Sequence, residues 1–90
     1  MKNTASHVAF AHMQAFLDKT NGQITIGEIP PIRRAVLAAV GKRVHVALLG
    51  RDGEKIDQLL ERLDTALSKV MADDSVIDEV LPEIQRRRKR

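Results

Sequence analysis

Residues 30–49 read PPIRRAVLAAVGKRVHVALL, and the fold follows from how this stretch divides. Proline in a first turn favours helix entry, because its φ is already helical and its missing N–H has no partner to lose. Residues 31–40 are therefore read as a short helix. Its buried side would be Ile32, Ala35, Val36 and Ala39, with Arg33, Arg34 and Leu37 nearer the surface. Gly41 ends it. Residues 42–49 then alternate as a strand does, with Val44, Val46 and Leu48 on one face and Arg43, His45, Ala47 and Leu49 on the other.

Toward the C-terminus, Gly50-Arg51-Asp52-Gly53 is a turn in which Asp52 can cap the next helix. Residues 54–71 carry Ile56, Leu59, Leu60, Leu63, Leu67, Val70 and Met71 at spacings of three and four, the pattern of an amphipathic helix. Asp57, Glu61 and Asp64 are assigned to its outer face. Asp73-Asp74 breaks the pattern. Ser75 opens a further helix with Asp78 three residues on in a capping-box arrangement. Pro82 kinks or restarts that helix. The final arginines then sit at a helix C-terminus, where the dipole favours cations.

Toward the N-terminus, residues 23–28 form a short strand with Ile24 and Ile26 on one face. Residues 4–19 form a helix capped by Thr4 or Ser6, with Ala9, Phe10, Met13, Phe16 and Leu17 as its apolar stripe. The expected order is α-β-α-β-α-α, an α+β domain over residues 1–81 with a basic C-terminal arm over 82–90. Two strands make a poor sheet alone. They are expected to pair across a homodimer into four, which also relieves the small core of a 90-residue chain.

Charge is sorted along the chain. Residues 1–51 hold seven basic residues against two acids, +5; residues 52–85 hold three against ten, −7; and Arg86, Arg87, Arg88, Lys89 and Arg90 add +5, giving the formal +3. Between Arg33 and Arg51 lie five cations, Arg33, Arg34, Lys42, Arg43 and Arg51, and no anion. Two basic blocks on different elements point to a polyanionic partner.

Other classes find less support. With no cysteine there is no disulfide frame and no thiolate metal site. His7 and His12 are five apart, a poor spacing for joint metal ligation on a helix, and His45 neighbours Arg43 across the strand face. Neither metal nor cofactor is expected. The serines lie in helices or caps, and no cleft joins two carboxylates, so no enzyme activity is expected. The glycine-bearing turn at 50–53 lacks the Gly-Lys-Ser/Thr ending of a nucleotide loop. The two aromatics, Phe10 and Phe16, sit apart from the basic blocks, against the stacking platforms of single-strand readers. No signal peptide or membrane span is legible, and a cytoplasmic, bacterial protein is expected.

The strand at 42–49, the helix at 54–71 and the capped helix from Ser75 are similar in order to the ribbon-helix-helix DNA-binding fold. That resemblance implies paired strands across a dimer and outward Arg43, His45 and Ala47 in a major groove. It covers only the second half of the chain. The first helix is longer than that fold's, Pro82 interrupts the second, and some forty residues precede the strand.

The reading expects a homodimer that binds double-stranded DNA through its phosphates with low sequence selectivity. The contacts would come from Arg33, Arg34, Lys42, Arg43, Arg51 and Arg86–Arg90, with no small-molecule substrate. The alternative is a protein-interaction module in which the acidic helix and its leucine stripe bind a partner and the tail is solvated or touches RNA. A nuclear-localisation tail is a third use of the same five basic residues.

Overall fold

The computed structural model describes residues 10–88. Thr4, Ser6 and His7 at one end, and Lys89 and Arg90 at the other, lie outside the described residues. The elements are α1 (Ala11–Lys19), β1 (Gln23–Ile29), β2 (Ile32–Val40), β3 (Arg43–Leu49), α2 (Ile56–Asp73), β4 (Ile77–Asp78) and α3 (Val80–Arg88). They form a small mixed α+β domain around one four-stranded sheet of order β1-β2-β3-β4. The first three strands are an antiparallel meander, and β4 runs parallel to β3. No helix among the described residues is long and apolar enough to cross a membrane.

Residues 31–40 correct the sequence reading: Ile32–Val40 is a strand, not part of a helix, and the order is α-β-β-β-α-β-α. Pro30 and Pro31 occupy the turn between β1 and β2, and their peptide bond is cis. The run from Ala35 to Val40 fits both periods because β2 is central. Val36 and Ala38 pack under the helices on one face, while Ile32 and Ala35 are buried on the other. A strand covered on both faces reads as a continuous apolar run and loses the alternation that marks a half-exposed one. The sheet therefore has its four strands within one chain, which removes the geometric need for cross-subunit pairing.

On the helix-bearing face, α2 lays Leu59, Leu63, Ala66, Leu67 and Val70 over Val36, Ala38, Val46 and Leu48, with Phe16 of α1 closing the edge. Leu59, Leu63 and Leu67 are fully buried, each contributing about 1.5–3 kcal/mol of apolar burial. The helix starts at Ile56 rather than after Asp52. The Lys55 N–H donates to the Gln58 side chain at 2.9 Å, so Asp52 is not its cap.

Two register shifts re-aim side chains. Ala38 faces Val46 and Ala39 faces Val44, leaving His45 as an extra residue in β3. Val44 therefore falls on the second face, and His45 meets Phe16 edge-on with ring centroids 6.2 Å apart. Strict alternation had put Val44 with Val46 and His45 opposite. A second shift leaves one extra residue in β2 between Ile32 and Ala35, at Arg33-Arg34. The β2–β3 hairpin closes on Gly41-Lys42, with Gly41 at φ 60° where a side chain would be strained.

Ser75 does not open a helix. The chain forms β4, and Asp78 then accepts hydrogen bonds from the Val80 and Leu81 N–H groups, both at 2.9 Å, at the start of α3. Pro82 sits in the first turn, where its missing donor costs nothing. Val80 and Ile84 of α3 pack on Ile32, Ala35 and Ala47, covering part of the second sheet face.

Candidate nucleic-acid interface

The expected basic residues divide between two ends of the sheet. Arg33 and Arg34 lie at the start of β2, and Lys42 and Arg43 at the far turn, ~25 Å away at ~3.3 Å per strand residue. Arg51 follows β3 and so returns to the Arg33–Arg34 end. The Gly50 N–H donates to the Arg34 carbonyl at 2.9 Å. A Cβ on Gly50 would lie 2.9 Å from Cγ of Arg34, so glycine here lets that side chain's stem lie across the strand end beside Arg51.

The C-terminal cations reach the same end. Arg87 donates from Nη1 to the Pro31 carbonyl at 3.1 Å, across 56 residues of chain. Three segments distant in sequence, 33–34, 51 and 86–88, are thereby gathered around the β1–β2 turn. Their charge is partly offset. Glu83 binds both Arg86 and Arg87, at 2.8 Å for Arg87, and these guanidiniums hold its carboxyl below the usual range. Among the described residues, Arg33, Arg34, Arg51 and Arg88 make no ion pair, and neither do Lys42 and Arg43. All six are exposed.

Beneath this end lies a polar network that the sequence did not disclose. Arg62 of α2 grips Glu54 through two hydrogen bonds, 2.8 and 2.9 Å, and donates to the Leu49 carbonyl at 2.6 Å. Glu79, between β4 and α3, accepts from the Leu49 N–H at 2.9 Å and lies 3.7 Å from Arg62. No spacing signals the pairing of Glu54 with Arg62, because Glu54 lies in the loop before α2, outside the helical repeat that Arg62 follows. Arg62 holds the Glu54 carboxyl at about 2, well below its ordinary 4.5.

Glu54 thus stabilises the fold fully above about pH 4.5, and this contribution drains away as pH falls from there toward 2. Its size, discounted for solvent on the Arg62 side, is about 1–2 kcal/mol. Urea midpoints measured at pH 6 and pH 2.5 should show this loss, and Glu54→Gln should flatten that part of the profile.

Asp64 also departs from expectation. It is buried, with 8% of its surface exposed, and not on the outer face of α2. Its Oδ1 accepts from the His12 and Met13 N–H groups at 2.9 and 2.8 Å, and its Oδ2 meets His12 Nδ1 at 3.0 Å. Asp64 therefore supplies from another helix the cap that Phe10, at the start of α1, does not provide. The His12 side chain is half exposed. The pair resembles an acid–base dyad in outline, yet two of the carboxylate's contacts go to backbone, which is the work of a cap.

The second sheet face holds an apolar groove of about 260 Å³ lined by residues that include Ile29, Leu37, Val44, Leu81 and Ile84. Leu81, half exposed, forms one wall.

No family model, no curated protein and no solved structure matches this chain.

Proposed function

We propose that the protein is a homodimer that binds double-stranded DNA mainly through its phosphates, at the end of the sheet carrying Arg33, Arg34, Arg51 and the α3 arginines. One observation carries this reading: the convergence of three cationic segments, joined by the Arg87–Pro31 contact and backed by the Arg62–Glu54 network. Cations held on a strand bulge, a strand exit and a helix end present a broad charged surface, the form that phosphate contact uses. Such contacts position a protein without naming a sequence, so selectivity is modest. The role is binding, with neither cofactor nor small-molecule substrate. Lys42 and Arg43, at the opposite end, are secondary contacts.

The test is fluorescence anisotropy of a labelled random-sequence duplex across a salt series, with an RNA duplex as competitor. Truncation after Gln85 should flatten the log–log salt slope by roughly 4 units, and Arg33→Ala, Arg34→Ala and Arg51→Ala together by roughly 3. Lys42→Ala with Arg43→Ala should change it least. Absence of binding at low salt, or a slope untouched by both sets, overturns the reading.

The apolar groove favours a second reading, a protein-interaction module. A partner retained at high salt with no nucleic acid attached would select it.

A further inference from the structure

Strand β1 is an edge of the sheet, with β2 on one side and no strand on the other among the described residues. Monomeric proteins blunt such edges with lysine, proline, bulges or brevity. β1 has seven residues, no proline or lysine, and Glu28 as its one charge. The register shift falls between Gly27 and Ile29, with the extra residue in β2 and Gly27 at φ 150°, so Gln23–Gly27 is the regular stretch of the outer strand. Its centre, Ile24-Thr25-Ile26, reads the same in both directions.

We propose that β1 pairs antiparallel with β1 of a second copy about a two-fold axis at Thr25, joining two sheets into one of eight strands. In this register Ile24 opposes Ile26 of the partner subunit, and the two copies of Thr25 face each other. Directly opposed residues share a sheet face. Ile24 pairs with Ala38 and Ile26 with Val36, so both isoleucines lie on the helix-bearing face. Ile24 already packs against the core there, whereas Ile26 is 43% exposed, and the proposed pairing covers it. The other face gains a threonine–threonine pair, a favourable cross-strand combination. Charge agrees with a self-partner. Glu28 falls opposite Gly22 of the partner subunit, three residues after that copy's Lys19 ends α1, so an acid approaches an amine at both ends of the ladder. The occupant is a second copy because the edge is complementary to itself in pattern and in charge.

This inference rests on the homodimer in the proposed function and is independent of the DNA reading. The chain has no cysteine, so Thr25→Cys places a single thiol on the proposed axis. Opposed residues of an antiparallel pair stand ~4.5–5.5 Å apart between Cα atoms, within disulfide reach. Mild oxidation of full-length Thr25→Cys should give a cross-linked dimer, while Thr65→Cys, exposed on α2, should not. Sedimentation of the wild type without nucleic acid should show a dimer. Ile26→Lys, at an exposed position, should weaken it at least about tenfold with unchanged circular dichroism. A wild type that stays monomeric at high micromolar concentration overturns both the homodimer and this edge. A dimeric wild type whose Thr25→Cys form fails to cross-link overturns the edge alone.

Discussion

Arg62→Ala is expected to lower the stability of the domain by about 3 kcal/mol, because its guanidinium satisfies three groups that would each be left short. Glu54 loses a two-point partner, the Leu49 carbonyl loses its donor, and Glu79 loses the nearest cation. Leaving a largely buried carboxylate unpaired is costlier than never having had the pair. For a domain of this length the fall in Tm is about 12–24 °C. Arg62→Lys should recover only part of it, since an ammonium keeps the charge but not the planar fork. The difference between wild type and Arg62→Ala should shrink as pH falls from about 4.5 toward 2, because Glu54 without Arg62 takes up its proton first. Urea unfolding at pH 6 and pH 2.5 measures both effects. An equal loss at the two pH values would assign the role of Arg62 to packing of its stem.

Asp64→Ala should cost about 2 kcal/mol and act first on α1. The helix has no cap of its own, and Asp64 receives its first N–H groups from 51 and 52 residues away. Asp64→Asn keeps an oxygen for those donors and should cost about half as much. Amide exchange at His12 and Met13 should quicken in both variants by more than exchange in β2 and β3. Uniform acceleration across the sheet would instead mean that α1 and the sheet open as one unit.

The sequence carried α2 almost whole, because one face of that helix meets the sheet and the other meets water. It carried β1, whose outer residues are largely exposed, for the same reason, and it carried β3 because Arg43 and His45 interrupt an apolar run that is buried on both faces. It misassigned residues 31–40 because β2 has apolar cover on both faces, and a run such as Ala35–Val40 then fits a helix as well as a strand. Asp64 was misplaced because an acid amid leucines on a helix is ordinarily solvated, and its partners sit on an element some fifty residues earlier. The single-residue bulge at His45 left no local trace in the alternating pattern. For the candidate interface, sequence supplied the cations but not their grouping. Arg33 and Lys42 looked like one block by proximity along the chain, yet a strand held them apart, whereas Arg51 and Arg87 were folded back beside Arg34 and Pro31.

The two-residue turn at Gly41-Lys42 also bears on how quickly the domain finds its shape. It joins β2 to β3 through contacts of short sequence separation, the kind that form in microseconds and set register before anything distant has met. The closures made by His12 with Asp64 and by Pro31 with Arg87 span 52 and 56 residues. Loop-closure entropy grows only with the logarithm of length, so the two carry nearly equal penalties. The meander with α2 is thus the expected folding nucleus. Helices α1 and α3 would then dock on opposite faces of a sheet already in register, as late steps whose order is left almost to chance.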